Sequence, residues 1–179
     1  MLYICSVEKE MIVKEGMESP LFLYQKMLEK RVQELLKKAL ENRSDLFLIS
    51  LIVTPDAKIN VIVDGDNGVK VEDCIYVSRA IEHELDREEQ DFSLEVMSAG
   101  ALEPLIYMRQ YKKNIGRNLE VKTSDSKIEG KLVDANDDAI TLQWKTREPK
   151  PIGKGKVTVQ KRENIAYNII IEAKVLVKF

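Results

Sequence analysis

The sequence carries one histidine, His83, and two cysteines, Cys5 and Cys74, which lie far apart and form no Cys-x-x-Cys pair. A disulfide framework or a Cys/His metal site therefore has no basis. Nothing places a carboxylate and a serine or cysteine beside His83, so Ser-His-Asp or Cys-His catalysis is unsupported. His83 reads as a solvated residue on the outer side of a helix. No run of eighteen apolar residues occurs, so no membrane span is expected. The start, MLYICSVEKE, is apolar but lacks a basic leader and a small-residue cleavage pattern, and a secretory signal is not expected. The chain is accordingly expected in the cytoplasm, with Cys74 a reduced thiol facing the core. There is no GxxxxGK[ST], no GxGxxG and no KH-type GxxG loop, which leaves nucleotide binding and KH-type RNA binding without a motif. No cofactor is expected.

What is present is enough for a packed core. Hydrophobic residues make up 44% of 179 residues, room for one large or two small domains. Charge is unevenly spread. Residues 1–104 carry a balance of −9 and residues 105–179 one of +7, within a net charge of −2. An acidic half joined to a basic half suggests two domains with different partners, the basic one suited to RNA and the acidic one to a basic protein. The alternative is two solvated surfaces.

Residues 1–26 show no sustained period and are broken by Gly16, Ser19 and Pro20. They are expected to be a flexible extension, or to stem from an upstream start codon, with the fold opening near Met27. From there Leu28, Val32, Leu35, Leu36, Ala39 and Leu40 share one helical face, opposite Lys30, Arg31, Lys37 and Lys38. Leu46 to Val53 is nearly all apolar, as a strand covered on both faces would be. Pro55-Asp56 turns the chain into a strand over Ile59–Val63, an antiparallel hairpin partner.

The organising stretch follows. Asp64-Gly65-Asp66-Asn67-Gly68 is dense turn chemistry. Val71, Cys74, Ile75, Val77, Ser78, Ile81 and Leu85 recur at spacings of three and four, a helix with Glu72 and Asp73 in its first turn. Phe92, Leu94 and Val96 form a further strand ending at Ser98-Ala99-Gly100. Residues 27–103 thus read as an α/β domain with two helices on one face of a three-stranded sheet. Pro104 blocks a continuous helix in the link that follows. After Gly116 the period becomes two: Leu119 and Val121, Ile128 to Val133, then Ile140, Leu142 and Trp144, with a turn at Asp134–Asp138. Strand pattern resumes over Val157–Val159, Ile169–Ala173 reads as a short helical turn, and Val175 and Val177 close a last strand. Residues 104–179 are expected to form a small β-barrel, making the chain α+β.

Val71-Glu72-Asp73-Cys74, Ser78-Arg79 and Leu85-Asp86, followed by Leu94-Glu95-Val96-Met97-Ser98-Ala99-Gly100 and Glu103-Pro104-Leu105, resemble the ribosome maturation factor RimP family. Met97, Ala99 and Glu103 depart from its pattern. The resemblance runs from about Met27 to Phe179. It implies an SH3-like or Sm-like C-terminal barrel, and Gly130, Leu132, Asn136, Ile140 and Leu142 resemble a first Sm motif. It also implies a non-enzymatic, monomeric factor that binds immature small ribosomal subunits transiently and aids their maturation. A general Sm-like RNA-binding module is the alternative, and an enzyme using the Asp64–Asp73 carboxylates the third reading.

Two basic clusters are RNA-binding candidates. Thr146 to Lys156 carries Arg147, Lys150, Lys154 and Lys156 among prolines and glycines, as a cationic finger or as a solvated hairpin loop. Arg109, Lys112, Lys113 and Arg117 flank Tyr111, which either stacks on bases or packs between the domains. Asp64, Asp66, Glu82 and Glu84 are candidates for meeting a basic ribosomal protein. Asp64 and Asp66 do not open an EF-hand, because the sixth and twelfth positions would be Val69 and Ile75. Ser98-Ala99-Gly100 is no nucleophile elbow.

Overall fold

The computed structural model describes residues 20–85, 91–150 and 155–177. Helix α1 spans Pro20–Glu41. Proline suits the first helical position, where no N–H is needed. The helix thus opens at Pro20, seven residues before the expected start at Met27, and residues 20–26 of the expected extension belong to it. Residues 1–19 lie outside the described residues. Periodicity misses the first turns because they have no buried face: Leu21, Phe22, Leu23 and Tyr24 are all exposed. From Leu28 onward Val32, Leu35, Leu36 and Ala39 are buried as the spacing predicts. Gln25 Nε2 donates to the Val53 carbonyl oxygen at 2.5 Å and ties the helix to the sheet.

Strands β1 (Leu46–Val53), β2 (Lys58–Gly65) and β3 (Ser93–Ser98) form one sheet in that order. β1 pairs antiparallel with β2, and β3 parallel with it, across a crossover through helix α2 (Val71–Glu82). Both helices pack on one face. There Ile59, Val61 and Val63 meet Val32, Leu36, Val77, Ile81 and Phe92 in a single core. β1 is an edge strand with only Leu46 and Val53 fully inside, not the doubly covered strand its composition suggests. Its apolar run is half-exposed because one sheet face carries no helix.

α2 is turned relative to its apolar pattern. Val71 and Ile75 are 76% and 43% exposed, while Asp73, Val77 and Ile81 are buried and Cys74 is half-buried. At 3.6 residues per turn, the buried stripe lies about a quarter turn from the apolar stripe of the sequence. The polar side chain that takes the inward place, Asp73, has partners described below.

The second half begins with a short helix α3 (Met108–Lys113), followed by β4 (Asn118–Thr123), β5 (Lys127–Ala135), β6 (Ala139–Pro149), β7 (Lys156–Ala166) and β8 (Ile170–Val175). The sheet order is β7-β6-β5-β4-β8, antiparallel throughout. Leu119, Val121, Leu132, Ile140, Leu142, Ile165, Ala173 and Val175 line one face and enclose a second core with Tyr111, the arrangement of a small barrel-like domain. Gly130 permits a close passage: a Cβ there would lie 3.1 Å from the Gln143 carbonyl oxygen. The helical turn expected at Ile169–Ala173 sits earlier, as a 3-10 turn over Tyr167–Ile169, and residues 170–175 pair with β4 instead. Three helices, a mixed three-stranded sheet and an all-antiparallel five-stranded sheet among the described residues make the chain α+β.

Candidate functional site

The turn after β2 grips α3. Asp64 is 3% exposed. Its carboxylate accepts from its neighbour Gly65 N at 2.8 Å, from Gln110 Nε2 at 3.0 Å and from Lys113 Nζ at 2.5 and 2.7 Å. Gln110 is itself buried, and its Oε1 accepts from Ile106 N and Tyr107 N at 2.7 and 3.1 Å, which fixes the chain just ahead of α3. Two residues on from Asp64, Asp66 takes a bidentate pair from Arg109, at 2.8 Å from Nε and 2.5 Å from Nη2. The same Nη2 donates to Ser44 O at 2.7 Å, and the guanidinium lies 4.5 Å from the Phe47 ring centre. Phe47 in turn meets Tyr107 edge to face at 6.3 Å. Arg109 therefore holds the Asp66 carboxyl below the usual carboxylate range. Guanidinium geometry suits this fork; an ammonium could make only one of the two bonds well.

Gly65 makes the turn possible. A Cβ at this position would stand 2.7 Å from the Gly68 carbonyl oxygen, and Gly68 itself has φ of +85°. Between the turn, Ser98-Ala99-Gly100 and α3 lies a cleft of about 400 Å3.

A second clip fixes α2. Arg43 holds Asp45 through two bonds of 2.9 Å and Asp73 through one of 2.8 Å. Asp73 also accepts from Lys70 N at 2.8 Å, capping the helix start. That backbone bond first, and Arg43 second, lower the Asp73 carboxyl. The Asp73 of the signature is thus explained by helix capping and an ion pair.

The basic candidates divide. Arg109 and Lys113 are committed to Asp66 and Asp64, and Lys112 to Asp137 at 2.6 Å. Arg117 is exposed at the rim of the cleft and has no ion pair among the described residues. Tyr111 is buried in the second core, edge to face with Tyr167 at 5.2 Å, and burial pushes its hydroxyl up to about 12. It packs within the barrel, neither stacking outward nor lying between the halves. Arg147, Lys150 and Lys156 stand exposed on the β6–β7 hairpin, also without ion pairs among the described residues. Lys154 lies outside the described residues, as does Asp86 of the signature. Of the acidic candidates, Asp64 and Asp66 line the cleft and face the chain's own cations. Glu84 is exposed beyond α2, 3.9 Å from Arg31, at a groove between α1 and α2, and Glu82 is half-buried in the last turn. These four do not line one depression.

The clamp was missed because Pro104 hides α3. A readable signal existed: Arg109, Lys112 and Lys113 are spaced by three and four, one helical face, beginning five residues after Pro104. No group of three or more metal-ligating side chains clusters among the described residues. No helix among them is long and apolar enough to cross a membrane.

A family model, the RimP N-terminal domain, matches residues 37–102, which takes in the end of α1 through β3. The ribosome maturation factor RimP of Christiangramia forsetii is 57% identical over 153 residues, covering 86% of this chain and 100% of the relative. That of Flavobacterium psychrophilum is 52% identical over 151 residues, 84% of this chain and 98% of the relative. That of Chlorobium phaeovibrioides is 31% identical over 150 residues, 74% and 87% of the two chains. Identity at this level across whole relatives is consistent with the turn, helix and strand described above, and the chain belongs to the ribosome maturation factor RimP family.

Proposed function

We propose that the protein is a non-enzymatic maturation factor of the small ribosomal subunit, acting as a cytoplasmic monomer that binds immature subunits transiently. Residues 104–179 work as the RNA-facing domain and the preceding α/β domain as the side that meets a basic ribosomal protein. The relatives' shared name supports the process. The observation that carries the RNA-facing role is the β6–β7 hairpin, whose Arg147, Lys150 and Lys156 are exposed and unpaired among the described residues. Unpaired lysine and arginine on an exposed hairpin release counterions when they meet phosphates, and this gives affinity without demanding sequence. A factor of this kind promotes maturation by binding an intermediate more tightly than the finished particle, which raises the population of the form it prefers.

The test is co-sedimentation of the full chain with small subunits from cells lacking it, against mature small subunits and large subunits. Selective retention on immature small subunits is expected. Equal retention on all three particles, or on none, would overturn the proposal. Replacing Arg147, Lys150, Lys154 and Lys156 together by alanine is expected to weaken the retention most at low salt.

A further inference from the structure

The register of β5, β6 and β7 sorts the cations of this sheet onto two faces, and the sorting goes beyond the finger tip. On β6, Ile140 and Leu142 face the second core and Trp144 packs against it, so Gln143, Lys145 and Arg147 face the other way. Lys131 on β5 and Arg162 on β7 both stand opposite Gln143. Gln160 stands opposite Lys145, Thr158 opposite Arg147 and Lys156 opposite Pro149. Lys131, Lys145, Arg147, Lys156 and Arg162 on this outer face are exposed, and none of the five has an ion pair among the described residues; Lys127, farther along β5 on the same face, is paired with Glu120 at 2.9 Å and lies outside the strip. The cation on the core side of β7, Lys161, is instead paired with Glu148 at 2.6 Å.

We infer that this outer face, with Lys131, Lys145, Arg147, Lys156 and Arg162, is the phosphate-binding surface of the protein and takes the backbone of ribosomal RNA. The inference rests on the RNA-facing role proposed above and places it on the sheet rather than on the loop. The rungs from Gln143 to Pro149 extend over about 20 Å of strand, and three strands at roughly 4.8 Å spacing give the strip a width of about 10 Å. Five positive charges thus lie on a surface whose other members are Gln143, Gln160, Thr158 and Pro149. A strip with so little apolar surface does not suit the apolar centre of a protein interface. Among the described residues it has no exposed aromatic ring on which bases could stack, so it recognises the charged backbone and not the base sequence. Glu129 lies next along β5 from Lys131 on this face and sets its negative limit.

The experiment compares three variants of the full chain by salt titration on naked small-subunit ribosomal RNA, with polyglutamate as an acidic polypeptide probe. The face variant is Lys131→Ala, Lys145→Ala and Arg162→Ala; the tip variant is Lys150→Ala and Lys154→Ala; the control is Lys161→Ala. Circular dichroism and melting confirm that each is folded; should alanine unfold the face variant, Lys131→Gln, Lys145→Gln and Arg162→Gln replace it. The expected result is a loss of roughly tenfold or more in RNA affinity for the face variant at 50 mM salt, with the slope of log affinity against log salt flattened by about 2 to 3. The control is expected to keep the parent's slope. A face variant with the parent's affinity and slope would overturn the inference; if the tip variant then still loses affinity, the RNA-facing role survives on the loop, and if neither loses, that role falls too. A face variant that loses polyglutamate binding but not RNA binding would make the partner an acidic protein, which also overturns it.

Discussion

Removing the Asp64 carboxylate should cost the protein several times what a surface ion pair is worth. Asp64 is 3% exposed and satisfies three donors, among them Gln110 and Lys113 from the other half of the chain. Breaking a buried pair by deleting one partner costs about 3–5 kcal/mol, because the other charge is left without compensation. Here Lys113 keeps 21% of its side chain exposed, so it can swing partly into water, which lowers the figure. Gln110 cannot do so: it is held by Ile106 N and Tyr107 N, and its Nε2 would lose its acceptor, at about 1–3 kcal/mol for a buried donor. For Asp64→Ala we expect a loss of about 3 kcal/mol in all. Lys113→Met leaves the carboxylate with Gly65 N and Gln110 Nε2 and should cost less, about 1–2 kcal/mol.

The assay is urea unfolding followed by Trp144 fluorescence, which reports the five-stranded sheet, and by far-ultraviolet circular dichroism, which is dominated by α1 and α2. The two probes should coincide in the parent and separate in Asp64→Ala, because the clamp joins the element each one reads. A double-mutant cycle between Asp64 and Lys113 should return a coupling of about 1–3 kcal/mol. Coincident probes in the variant, with a loss under about 0.5 kcal/mol, would show that the two halves do not depend on this contact.

Three further outcomes follow from the same geometry. Asp73→Asn should flatten the acid limb of the melting curve: its folded carboxyl is lowered, so its contribution is complete above about pH 4 and disappears as the pH falls through that lowered value, which melting at a series of pH values reads directly. Gly65→Ala should destabilise by more than a helix glycine would, about 2 kcal/mol or more, because its Cβ meets a backbone oxygen and not a movable side chain; calorimetry checks this against Gly155→Ala, where nothing stands within 4 Å but φ is +120°. Cys74 should label slowly with a thiol reagent in the native protein and quickly in urea, since burial raises its thiol and the half-buried side chain packs against the first core; fast native labelling would contradict this.

Much of the fold could be read from periodicity because most elements alternate a buried face with a wet one. Strands β4, β5 and β8 did so, and Leu119, Val121, Ile140 and Leu142 went where their spacing put them. The first turns of α1 and the edge strand β1 did not, since neither has a pair of contrasting faces. In α2 the contrast was present but misleading. Val71 and Ile75 are apolar and exposed, while Asp73 is polar and buried, and the exchange is explained by its cap on Lys70 N together with the long-range partner Arg43. The site was less legible for the same reason. Asp64 and Lys113 are 49 residues apart in sequence, and composition cannot distinguish a charge held for a partner from one spent inside the fold.

That distinction changes what the charge asymmetry means. The −9 and +7 halves suggest two surfaces offered to two partners. Part of the imbalance is consumed where the halves meet, with Arg109 and Lys113 answering Asp66 and Asp64. Within the second half, four further lysines are paired locally, Lys112 with Asp137, Lys127 with Glu120, Lys161 with Glu148 and Lys174 with Glu172, which leaves the +7 balance unchanged but decides which cations stand free. A charge already paired contributes little field at a distance, because its partner cancels it within a few ångströms and salt screens the remainder. Cations without such partners dominate the potential, and these gather on the outer face of β5–β7 and along the hairpin. Steering toward a polyanion should therefore depend on that face far more than on the net charge of the half that carries it. Exchanging a paired lysine such as Lys174 for glutamine should barely alter the association rate with RNA, while the same exchange at Lys145 should slow it measurably at low salt.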